Sequence, residues 1–114
     1  MSDAIKHECG IALLRLKKPL DFYLKKYGTA LYGLNKMYLL MEKQHNRGQD
    51  GAGLANIKFD VEPGTRFISR FRSVRNQPIK DIFSYINERF EKLHENKPEK
   101  LTDVNYLKAN EAFT

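Results

Sequence analysis

Residues 51 to 72, GAGLANIKFDVEPGTRFISRFR, decide how this chain folds. Gly51 to Phe59 reads as one strand, Pro63-Gly64-Thr65 as a turn, and Arg66 to Arg72 as a second strand pairing antiparallel with the first. Alternate side chains of an extended chain take opposite faces. Phe67 and Phe71 therefore share one side of the second run, and Arg66, Arg70 and Arg72 share the other. Two readings follow. The ordinary one is a core-facing strand with a solvated basic side; the other is an RNA-binding stripe of exposed aromatics.

Working outward, Ile79, Ile82, Phe83, Ile86, Phe90 and Leu93 recur at helical steps after Pro78, which suits a first helical turn. The run HENKPEK, residues 94–100, breaks that helix, and a short helix is expected from Leu101 onward. On the other side of the hairpin, Ala30, Leu34, Met37, Tyr38 and Met41 form a stripe that Leu31 and Leu40 widen. This predicts a helix of about four turns, capped by Thr29 and stopped by Gly48, apolar enough to lie against a sheet. Before it, DFYLKKYG (21–28) reads as a loop or an irregular turn of helix. Residues 9–16, CGIALLRL, are apolar on both sides and predict a strand buried on both faces, ended by Pro19.

Two or three strands with two or three helices make an α+β protein with fewer strands than such a sheet usually holds. With Phe113 left near the last residue, the chain reads as an incomplete domain.

Composition narrows the class. The chain has 114 residues, 41% hydrophobic and 30% charged, with one cysteine. No apolar run approaches the ~20 residues of a membrane span, and MSDAIKHE is too polar for a signal peptide. A single cysteine makes neither an internal disulfide nor a four-thiolate metal site. A cytoplasmic protein is expected. The net charge of +6 raises the question of a polyanion. The basic residues are dispersed along the sequence, and Arg66 to Arg75 is the one group that reads as a patch.

The lone cysteine, Cys9, stands at the start of the first apolar run. A free cysteine in a strand is ordinarily a small buried apolar residue. A thiol becomes a nucleophile when a neighbour takes its proton. His7 is close in sequence but belongs to a polar tail; His94 falls in the last turn of a helix, where a cation suits the dipole. A cut between Glu8 and Cys9 supplies another base. It places a free α-amine, of pKa about 8, on the same residue as the thiol, at the head of a strand. Gly10 then lets a substrate approach the backbone closely.

Taken together, ECGIALLRL (8–16) and LLMEKQHNRGQDGAGLA (39–55) resemble the start of the glutamine-hydrolysing domain of the amidophosphoribosyltransferase family. These are class II glutamine amidotransferases with the N-terminal nucleophile hydrolase fold, an αββα sandwich. The family begins its mature chain Cys-Gly-Ile, often after loss of a propeptide. A helix then runs into Gln-His-Arg-Gly-Gln-(Glu or Asp), two small residues and Gly-(Ile or Leu). Here that motif spans Gln44 to Gly53, with Asn46 inserted between His45 and Arg47. The related glucosamine-6-phosphate synthases typically carry tyrosine before Arg-Gly, so Gln44, His45 and Gln49 favour the purine-pathway enzymes. The likeness is clear over residues 5–58 and faint beyond.

The resemblance implies a division into a leader, residues 1–8; the opening of the amidotransferase domain, residues 9–75; and a helical insertion, residues 76–114. It implies that Cys9 attacks the carboxamide of glutamine, the small-molecule substrate, giving a γ-glutamyl thioester and ammonia. In the complete enzyme, a glycosyltransferase of purine biosynthesis and expected to be a homo-oligomer, the ammonia passes to phosphoribosyl pyrophosphate. Arg47 is the motif arginine, with two roles open: ordering the glutamine site, or bonding loop carbonyls beneath a turn that includes Gly48. The family's His-x-Arg-Tyr-x-Thr segment, its Asn-Gly oxyanion pair and its amine-binding aspartate have no counterpart here. The expectation is therefore a chain inactive alone, with no cofactor of its own. Mg²⁺ is implied only for the phosphoribosyl-binding domain, and neither nucleic acid nor membrane is expected as partner. The alternatives are a small interaction module of the same fold and a basic polyanion-binding domain.

Overall fold

The computed structural model describes residues 10–44, 51–59 and 61–114. The described residues form a mixed α+β fold with four α-helices and a two-stranded antiparallel sheet. The helices are α1 (Leu20–Tyr27), α2 (Tyr32–Lys43), α3 (Pro78–Asn96) and α4 (Val104–Asn110), with a 3₁₀ turn at Pro98–Thr102. The strands are β1 (Ala52–Ile57) and β2 (Ile68–Ser73).

The hairpin pairs antiparallel as expected, but Phe67, read as core-facing beside Phe71, lies just before β2 and is 58% exposed. Leu54 lies opposite Phe71, Ala55 opposite Arg70 and Ile57 opposite Ile68. Leu54, Ser69 and Ser73 are buried on the inner face, while Arg70 and Arg72 point to solvent. Gly64 takes the connecting turn at φ 90°, a conformation that side-chain-bearing residues adopt at a penalty.

The long helix α3 organises the core. Ile79, Ile82, Phe83, Ile86, Phe90 and Leu93 are all buried, and Ile82 is wholly inaccessible. This stripe packs on both strands and on α2, whose Tyr38 meets the Phe83 ring edge-on at 5.1 Å. Pro78 stands at the first helical position, where its missing N–H costs no hydrogen bond. Each such apolar side chain contributes about 1.5–3 kcal/mol when removed from water. Leu107 of α4 and Phe113 complete the cluster, at 0% and 4% exposure. No described helix is long and apolar enough to cross a membrane.

Three expectations need correction. DFYLKKYG, read as a loop or an irregular turn of helix, is a regular helix: it belongs to α1, whose Leu20, Tyr23, Leu24 and Tyr27 fall at helical spacing, and Gly28 caps it at φ 79°. Thr29 is not the N-cap of the second helix. That helix starts at Tyr32, and the Thr29 hydroxyl instead accepts the amide of Leu31 at 3.0 Å in the turn before it. The third concerns the apolar run after Cys9. Residues 10–17 form no strand, and Ile11 and Leu13 are 87% and 89% exposed. Only Ala12, Leu14 and Leu16 are partly covered.

The covering element is a helix. A Cβ placed on Gly10 meets Gln44 at the end of α2, and one placed on Gly33 meets Leu16 near its start. The extended segment thus runs antiparallel along α2. Six extended residues span about 20 Å, close to the about 16 Å of helix between Gly33 and Gln44. One face lies on the helix, and the other has no strand beside it among the described residues.

Candidate functional site

Cys9, Arg47 and Gly48, with His7 and His45, lie outside the described residues. Their described neighbours show where the two segments bearing them meet. At Gly10, directly after the cysteine, a Cβ would sit 2.5 Å from Gln44 Oε1 and 2.9 Å from Gln44 Cβ. The Oε1 contact could be relieved by rotation of the side chain, but the Cβ contact could not. Glycine is therefore what allows the first motif to lie against the first residue of the second. At the other end of that motif, a Cβ on Gly51 would lie 2.9 Å from the Ser73 carbonyl oxygen. The second motif leaves α2 beside Gly10 and rejoins the fold at the end of β2.

An open cleft of about 480 Å³ between β2 and α3 adjoins that end of the sheet. Phe71 and Tyr85 stack across it at 4.3 Å, and Arg75 stands 3.9 Å from Asp81. The Arg75 side chain is 81% exposed, so this pair adds little stability. The cleft offers both charge signs but no buried charge. His94 is exposed in the last turn of α3, the end of a helix where a cation suits the dipole.

Two features escaped the sequence reading. The first is Lys58, which is buried although charged. Its ammonium donates to the carbonyls of Leu107 at 3.4 Å and Lys108 at 2.9 Å, and to that of Glu111. Burial pulls its pKa down, against a smaller opposing pull from Glu111. A buried lysine with a lowered pKa is a common nucleophile. Here all three N–H donors are taken by carbonyls at the end of α4, so Lys58 acts as a clamp. Leu54, Asn56 and Lys58 share one parity on the strand, which was the available signal.

The second feature is a lysine–aromatic surface on α1 and α2. Tyr32 stacks on Tyr27 at 4.2 Å and on Tyr23 at 5.1 Å, with ring planes within 17°. Lys18 and Lys26 lie over Phe22 at 5.7 and 5.6 Å, and Lys36 lies over Tyr32 at 5.9 Å. The turn at Gly28 brings together lysines that looked dispersed in sequence. Partial loss of water, and then the neighbouring hydroxyls of Tyr27 and Tyr23, raise the Tyr32 pKa above its ordinary 10.0.

Against this geometry, no protein-family profile, no characterised protein and no solved structure matches the chain.

Proposed function

We propose that this chain is the opening part of an amidophosphoribosyltransferase glutaminase domain, with Cys9 as its nucleophile once residues 1–8 are removed. The observation that supports the reading is the contact between Gly10 and Gln44, since it joins the ends of the two motifs on which the resemblance rests. In the proposed reaction the Cys9 thiol passes its proton to the neutral α-amine. The sulfur adds to the carboxamide carbon, and the returned proton leaves with ammonia. Water then cleaves the thioester, giving glutamate and the free thiol. Arg47 orders the glutamine site or holds the loop beneath it, and Gly48 belongs to the turn after it. The αββα sandwich is the architecture this reading assigns to the complete domain. Mg²⁺ belongs to the phosphoribosyl-binding domain, and no residue of this chain is assigned to it.

An oxyanion donor is worth about 100- to 1000-fold in rate, and the carboxylate-anchoring arginine supplies positioning as well. The 114-residue chain is therefore expected to release no glutamate from glutamine above a blank. Joined to the continuation of its reading frame, it is expected to release glutamate in a Cys9-dependent manner. Release that persists in Cys9→Ala, or a continuation lacking the carboxylate-binding arginine segment, contradicts the proposal.

A further inference from the structure

We infer that the α1–α2 hairpin is a binding surface for single-stranded nucleic acid, independent of anything Cys9 does. Charge is the first observation. Residues 10–44 hold seven lysines and arginines against two acids, a net of +5 out of the chain's +6. The ion pairs among the described residues join Arg75 to Asp81, Arg89 to Glu111, Lys92 to Glu88 and Lys100 to Asp103. None of these involves Lys17, Lys18, Lys25, Lys26 or Lys36. These lysines instead face water or the rings of Phe22, Tyr27 and Tyr32.

Ring geometry is the second observation. Tyr23 is buried at 8% exposure and anchors the stack, while Phe22 and Tyr27 remain 38% and 47% exposed. Flat rings interleaved with ammonium groups suit a polymer whose phosphates alternate with unpaired bases. A duplex keeps its bases stacked on one another and cannot use the rings.

Two other assignments fit less well. On β2 the basic and aromatic side chains part company: Arg70 and Arg72 face solvent, whereas Phe71 turns inward onto Tyr85. The exposed Phe67 next to this strand alternates with the arginines rather than sharing their side, so that face offers charge without a cluster of rings. A helix lying in a membrane surface presents a continuous apolar face. On α1 the apolar residues Leu20, Tyr23 and Leu24 are turned at least partly inward, which leaves Phe22 and Tyr27 among the lysines.

The test is fluorescence anisotropy of the 114-residue chain with labelled oligouridylate and oligothymidylate of about twelve nucleotides, between about 50 and 200 mM salt. Saturable binding that weakens with salt is expected. Lys25→Glu with Lys26→Glu should weaken it at least about tenfold and flatten the salt dependence. Phe22→Ala with Tyr27→Ala should weaken it about fivefold at an unchanged salt slope. Arg70→Ser with Arg72→Ser, and Cys9→Ala, should leave it within about twofold, as expected where no contact is lost. Lys25 and Lys26 are exposed, so the charge-reversal variant tests the surface without disturbing the core. Absence of saturable binding at low salt overturns the inference. So does equal weakening by the β2 arginine variant, or binding to phosphatidylserine vesicles that the oligonucleotide does not displace.

Discussion

Lys58 shows how one residue can be well placed for chemistry and yet committed to structure. Its three donors hold the carbonyls that end α4 and tie that helix to the end of β1. Lys58→Met keeps much of the apolar stem but leaves those carbonyls without their charged donor. The loss should be about 1–3 kcal/mol, read by urea unfolding at neutral pH. The pH dependence has a definite sign. The folded-state pKa lies below the ordinary 10.5, so between the two values the unfolded chain holds the proton more tightly. Wild-type stability relative to Lys58→Met should therefore rise as pH climbs through that interval. A flat or falling difference would contradict the burial assigned to this ammonium.

Elements with a strong local period were legible before the fold was known. The six apolar positions from Ile79 to Leu93 mark one face of α3, and Pro63-Gly64 marks the turn of the hairpin. The α1 helix was only half legible, as a loop or an irregular turn of helix, because its inward face is short: Leu20, Tyr23 and Leu24, with Tyr23 alone fully buried. The strand expected over residues 9–16 does not form over its described part for a non-local reason: a strand needs a partner, and an apolar run is equally satisfied by lying along α2. The lysine surface depends on the turn between α1 and α2, which no spacing rule showed. Cys9, Arg47 and Gly48 lie outside the described residues, and Gly10, Gln44 and Gly51 are motif positions whose surroundings are described. Packing is tested at this scale by Ile82→Ala, which should cost about 2–5 kcal/mol. Ile68→Ala, on the outer face of the sheet at 47% exposure, should cost less than about 1 kcal/mol. Equal losses would mean that α3 does not organise the core.

The described residues measure 53 × 30 × 29 Å, with a radius of gyration of 15.8 Å. A compact chain of this length has about 13 Å. The outer side carries exposed apolar residues. Ile57 and Ile68 face each other across the hairpin, Arg15 lies over the neighbouring Phe59, and Ile11 and Leu13 project from the extended segment. Exposed apolar groups at this density promote association. Sedimentation velocity should show concentration-dependent self-association that Ile11→Lys with Leu13→Lys reduces, at a stability change within about 0.5 kcal/mol. Association unaffected by the double change would place the sticky surface elsewhere.

The functional account rests on Cys9 being reachable and activated where Gly10 meets Gln44. The direct measurement is the alkylation rate of a chain produced with Cys9 as its first residue, folded and in urea, at about pH 7.5. The thiolate is the attacking species, so a folded site that takes up the thiol proton speeds alkylation. The folded chain should therefore react faster than the unfolded one. A folded chain that reacts more slowly would show a sulfur sealed in packing, and Cys9 would be a structural residue.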